Sequence, residues 1–309
     1  MGDWLLIGIR FALYLTLTVL FGLSTFGFYG LRGDGHGNAI ALRPWLVASA
    51  VLSLLLSVGW VVLLASSLAG TPAWPIDHEA IGALLTGSAI GAAWQVRMVM
   101  LVLATIAAMF ASGRGVWLGV VALSSTFALA ALAWTGHGAV DEAAAGWLHL
   151  AADILHLIAS GMWVGALLGL LLLVSRPLAR VDSAHLGLAH RALHGFGMIG
   201  TVVVATIVVT GLVNALMLVG IGNVVVLPTT LYGQLLLAKL ALVAAMLGLA
   251  SLNRFRLTPT FKRSIAANDF GSALGALRAS LAVETACAVA VLGLVAWLGT
   301  LAPPASSGM

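Results

Sequence analysis

The chain is expected to be an all-α, polytopic membrane bundle of about eight transmembrane helices, with both termini on the same, outer side. Three observations lead there. Of 309 residues, 61% are hydrophobic and 8% charged, whereas soluble domains carry roughly a quarter charged residues. Apolar runs of the ~20 residues needed to cross a bilayer recur along the whole length. Period-two alternation is absent, which selects helices over a barrel.

The spans are expected at 4–30, 44–69, 93–112, 115–136, 146–174, 194–219, 231–252 and 278–300. The leading MGDWLLIGIR lacks the basic region of a cleaved signal peptide, so it reads as the start of span one. Arg43-Pro44 opens span two and Gly70-Thr71-Pro72 closes it. Gly113-Arg114-Gly115 divides spans three and four, Arg176-Pro177 ends span five, and Pro228 precedes span seven. Residues 1–302 form a single transmembrane domain in this reading, and 303–309, PPASSGM, a short disordered tail.

Orientation follows from lysine and arginine. Eleven of the fourteen fall on one side: Arg32, Arg43, Arg114, Arg176, Arg180, Arg191, Arg254, Arg256, Lys262, Arg263 and Arg278. The opposite loops carry Asp77, Glu79, Asp141 and Glu142. The basic side is therefore expected to face the cytoplasm. Because the basic residues are spread over short loops, the net charge of +4 does not point to nucleic acid. Trp4, Trp94, Trp134, Trp147 and Trp297 near outer boundaries, with Trp45 and Trp117 near inner ones, read as an aromatic belt, and Trp60 and Trp163 as packing residues.

Arg10, Arg97 and Lys239 fall inside spans, near their outer ends, as do Asp153 and His156. Ionisable residues in a span mark a functional site by default, because an unpaired buried charge costs several kcal/mol. The densest group is in 135–165, where His149, Asp153 and His156 are spaced i, i+4, i+7 and share one helical face. His137 precedes them closely enough to fold back over that face. Neutral imidazole suits copper, zinc, iron and nickel, and thioether sulfur shifts preference toward Cu(I). His137, His149, Asp153 and His156 are thus candidate metal ligands, with Asp153 either ligating or holding a histidine tautomer. Met98, Met100 and Met217 are candidate sulfur donors near outer span ends, though methionines are usually core fillers. The lone Cys287, inside the last span, permits neither a disulfide framework nor a CxxC site.

Other polar residues have less definite readings. Arg97 and Lys239 are expected to pair with Asp153 or to tune the charge of the site. Thr206, Thr210 and Asn214 make a stripe on span six, either interhelical glue or the lining of a pathway. Glu284, alone in the inner part of span eight, reads as a neutral acid or as a proton or ion relay. His185, His190 and His194 are expected in a solvated, headgroup-facing loop, and His36 and His78 in loops without partners.

The segments LLTGSAIGAAWQVRM, TGHG, LHLAADILHLIASGMWVGALL, VTGLVNALMLVG, TTLYGQLLLAKLAL and ASLNRFRLTP, followed by Glu284, form a series. In order and spacing this series resembles the copper resistance protein D family (CopD/PcoD) of bacterial inner-membrane proteins. The resemblance covers most of the chain, and no single segment is specific. It implies a copper homeostasis protein rather than an enzyme, with both termini periplasmic, moving copper ion, Cu(I) or Cu(II), toward the cytoplasm. It also implies a periplasmic CopC-like copper-binding partner, because the outer loops here lack Met-rich or His-rich runs. The alternative is a b-type cytochrome with histidines as axial haem ligands, which would want histidines on facing helices.

Overall fold

The computed structural model describes residues 2–31, 40–111, 115–135, 144–177, 182–267 and 271–304. His137 lies outside the described residues, as do His36, Arg32, Arg114, Arg180, Asp141, Glu142 and tail residues 305–309. The described part is helical throughout: α1 (Gly2–Tyr29), α2 (Leu42–Ala69), α3 (His78–Gly87), α4 (Ala89–Phe110), α5 (Val116–Ala130), α6 (Ala144–Val174), α7 (Ser183–Val219), α8 (Leu231–Leu252), α9 (Thr258–Ala266) and α10 (Gly271–Leu298). Among the described residues eight helical spans are long and apolar enough to cross a membrane, α5 counted with the 3-10 turn Ala131–Thr135 that continues it.

Local signals set the boundaries. Ser88 caps α4 by accepting from Gly91 N (3.0 Å), and Thr230 caps α8 through Gly233 N (3.1 Å). Gly70, at φ +67°, ends α2 in the left-handed region. Asp77 caps the short α3, a helix in the acidic loop not anticipated from the sequence. A π turn, Asn253–Leu257, follows α8 and immediately precedes Pro259. Proline cannot donate to, and collides with, the carbonyl four residues earlier. The widened turn relieves that conflict.

The sixth span differs most from its expected range. α7 begins at Ser183 instead of 194, and its 37 residues extend about 55 Å at 1.5 Å per residue. Asp182 initiates it, accepting from His185 N at 2.7 Å. His185, expected in a solvated loop, is instead buried, its Nε2 2.9 Å from the Leu173 carbonyl and its Nδ1 3.3 Å from Arg176 Nη1. The α10 residue Arg278 donates to the carbonyls of Val174 and Arg176, closing the same junction.

α1 lies at the centre, packed against α2, α5, α6 and α10, and Leu17, Leu20, Leu23 and Phe26 on it are wholly buried. α2 and α5 both pack on α4 on one flank, and α6 with α7 and α10 with α8 fill the other. α7 and α8 are tied to each other by the 3-10 segment Ile221–Thr229 at one end, and α7 packs on α9 at the other.

The α1–α6 crossing is backbone on backbone. A Cβ added to Gly22 would come within 2.4 Å of Gly165 Cα and 2.5 Å of the Gly161 carbonyl; one added to Gly165 would lie 2.1 Å from Gly22 Cα. Gly161, Gly165 and Gly169 recur every four residues and make this one face of α6, the small-residue packing that lets membrane helices approach closely. Gly165→Ala and Gly22→Ala should each destabilise the protein by about 1–3 kcal/mol through overpacking. Gly8→Ala and Gly248→Ala, where nothing lies within 4 Å of the new Cβ, should instead leave stability unchanged or raise it by up to about 1 kcal/mol. Thermal unfolding midpoints in detergent check both halves of this prediction.

Candidate metal site on α6

The face of α6 opposite those glycines carries His149, Asp153, His156, Ser160 and Trp163, spaced i, i+4, i+7, i+11 and i+14. With the glycines held against α1, this polar face turns toward α7, α8 and α10. Asp153 Oδ1 accepts from Asn214 Nδ2 of α7 at 2.6 Å. His149 is buried (5% exposed), and its Nε2 stands 3.9 Å from Asp153 Oδ2, too far for a hydrogen bond. Neither His149 Nε2 nor Asn214 Oδ1 has a hydrogen-bond partner among the described residues. A buried polar atom left unmet costs about 1–3 kcal/mol, so two such atoms beside one carboxylate form a candidate donor set.

His156, one turn further on, faces Thr210 of α7, with Nδ1 and Oγ1 2.9 Å apart. The Thr210 hydroxyl has one proton and gives it to the Thr206 carbonyl at 2.6 Å. Its oxygen is therefore placed to accept from His156 Nδ1, which favours the neutral Nδ1–H tautomer and puts the lone pair on Nε2. Holding the distal nitrogen by a hydrogen bond is how proteins aim a ligating imidazole. The Thr206–Thr210–Asn214 stripe thus acts on both Asp153 and His156.

The expected residues do not all meet. Among the described residues no group of three His, Cys, Asp or Glu side chains is placed to hold one ion. His149 and His156 are seven residues apart, about 10 Å along the helix. The arrangement is a ladder of donors and not a closed cage. Lys239, half-buried on α8, is close enough that its charge bears on both Asp153 and His156.

Arg97 belongs elsewhere. It is wholly enclosed (0% exposed), its guanidinium lies 4.8 Å from the centre of the Trp60 ring, and Arg10 and Tyr14 of α1 are its electrostatic neighbours. Arg10 and Arg97 therefore group between α1, α2 and α4, apart from Asp153, His156 and Lys239 on α6 and α8. Met98, half-buried, follows Arg97 on α4. Met217 lies one turn beyond Asn214 on α7, also half-buried.

Glu284 is not alone. It is 1% exposed, and its Oε1 accepts from Trp163 Nε1 (3.1 Å) while Oε2 accepts from Asn253 Nδ2 (2.9 Å). Trp163, read as a packing residue, is the last rung of the α6 polar face, and its spacing from His156 could have revealed that. Asn253 joins Glu284 across thirty-one residues through the π turn, and no local pattern announces it.

Residues 1–147 match the family model for the copper resistance protein D-like N-terminal domain, and residues 190–298 match that for copper resistance protein D. The chain is 44% identical to copper resistance protein D of Pseudomonas syringae pv. tomato over 100% of both chains. It is 26% identical to inner membrane protein YebZ of Escherichia coli (strain K12), over 96% of this chain and 98% of that one. Identity to copper transport protein CutJ of Bacillus subtilis (strain 168) is 28%, over 82% of this chain and 47% of the relative. No solved structure matches. Full-length identity at this level, together with the two family models, makes this chain a member of the copper resistance protein D family.

Proposed function

We propose that this chain handles copper in the bacterial inner membrane, taking the ion from the periplasmic side onto the polar face of α6 and passing it toward the cytoplasm. The observation that carries the reading is the buried His149 Nε2, unpartnered beside Asp153 and Asn214. His156, held at Nδ1 by Thr210, stands two turns further along the helix. Imidazole nitrogen with a nearby carboxylate suits copper in either oxidation state. A relative named for copper resistance and another named for copper transport support the cargo, and the inner-membrane relative supports the location. His137 enters this ligand set from the sequence alone. The short acidic-side loops favour delivery by a periplasmic carrier of the CopC kind.

Copper is here a cargo, and a ladder suits a cargo better than a cage does, because each rung holds the ion with few ligands. Lys239 supplies a resident positive charge for Asp153 while no ion is bound, and an arriving cation must displace its influence. A haem needs two imidazoles facing each other across the macrocycle. His149 and His156 stand on one face of one helix, so the haem alternative gains no support from them.

Purified protein tests the assignment by copper stoichiometry and affinity. His149→Ala and His156→Ala should each lower affinity at least tenfold, and the double variant should lose stoichiometric binding. Wild-type binding in the double variant would overturn the site. Lys239→Met should instead tighten binding by up to about tenfold, the effect of removing a neighbouring positive charge at protein-like screening. Competition titration against a copper chelator measures the sign.

A further inference from the structure

Beyond Trp163, toward the basic end of the bundle, lies a cavity of about 220 Å³ between α6, α7, α8, α10 and the π turn. Its walls are largely apolar, with Leu167, Leu193, Phe196, Leu247 and Leu281 among them. Glu284 and Asn253 are its buried polar patch, Thr201, Ser251, Arg254 and Thr258 also line it, and among the described residues no histidine, cysteine or methionine does. Asn253 Oδ1 is buried and has no hydrogen-bond partner among the described residues. The cavity reaches Arg254 and Thr258 in the basic segment, where Arg254 donates to Thr201 of α7.

The chemistry of this patch selects its ligand. Soft copper is poorly served by oxygen alone. A hard metal ion wants about six oxygens, whereas the carboxylate and amide give three, and the Thr201 and Ser251 hydroxyls on the wall are bonded back to the carbonyls of Gly197 and Leu247. A proton needs one. The seat also satisfies Glu284 in both of its states. Ionised, it accepts from Trp163 and Asn253 at the observed distances. Protonated, it can donate to Asn253 Oδ1 after the amide turns over, since an amide offers a donor and an acceptor at equivalent positions. The groups facing the cavity from the other elements are Thr201 on α7, Ser251 on α8, Arg254 in the π turn and Thr258 on α9, so among the described residues Arg254 is the only charged neighbour lining it. It stands in an exposed position, bonded to Thr201.

We propose that Glu284 is a proton-exchange site, loaded and unloaded from the basic end of the bundle through this cavity, and coupled through Trp163 to the polar face of α6. A hydronium in the cavity gives up one O–H bond as an O–H bond forms on the Glu284 carboxylate, and release reverses the step. The proton site stands on its own geometry; only its coupling to copper rests on the function proposed above.

Infrared spectroscopy of the purified full chain without copper tests the site. Wild type should show the carbonyl band of a protonated carboxylic acid that grows as pH falls and shifts in D2O. Glu284→Gln, whose carbonyl oxygen can accept from Trp163 while its NH2 donates to Asn253 Oδ1 once that amide turns over, should remove that band, and Glu284→Asp should displace it. The displaced band serves as the readout if the glutamine variant does not fold. His149→Ala and His156→Ala should leave it intact, which separates failure of the copper site from failure of this one. A titrating spectrum identical in wild type, Glu284→Gln and Glu284→Asp would overturn the proposal. In proteoliposomes with a pH-sensitive dye, copper uptake by wild type should move protons, whereas Glu284→Gln should bind copper at wild-type stoichiometry and move none. Equal proton movement in both would refute the coupling.

Discussion

The contact between Gly22 and the Gly161–Gly165 pair sets the geometry on which the other features depend. Two helix backbones that touch leave neither free to rotate, because turning α6 by even one residue would drive a side chain into α1. The glycine face and the polar face of α6 are opposed, so fixing one aims the other. His149, Asp153, His156 and Trp163 reach Asn214, Thr210 and Glu284 because α1 holds α6 from behind.

That rigidity explains why the polar groups are strung along the helix and not gathered. Residues on one face of a straight helix rise about 1.5 Å each, so donors four and seven positions apart cannot share an ion unless other elements close around it. α7 supplies hydrogen-bonding groups to the ladder in place of further soft ligands: Asn214 steadies Asp153 and Thr210 sets the tautomer of His156. In the proposed reading, weak holding at successive rungs is what a moving ion requires, and the oxygen-only patch around Glu284 marks where copper chemistry stops.

Hydropathy and periodicity made the spans and the shared face of His149, Asp153 and His156 legible, since both depend on local spacing. What the sequence left hidden came from contacts distant in the chain. Span six reads as starting at 194 because Gly195, Gly197 and three histidines look like a loop, yet the Asp182 cap and the clasp of His185 onto the end of α6 carry the helix further. Glu284 looked solitary because its partners, Trp163 and Asn253, lie on two other helical segments. Arg97 looked like a partner for Asp153 because both fall near outer span ends, and depth in the membrane says nothing about which side of a bundle a residue occupies.

The enclosed guanidinium of Arg97, stacked on Trp60 with Arg10 nearby, has a consequence for the amino-terminal flank. A guanidinium stays charged in proteins, and in a poorly polarisable interior its repulsion of another cation is strong. The packing among α1, α2 and α4 is therefore unfavourable ground for a second cation, and that flank is electrostatically unlike the face of α6 that carries Asp153.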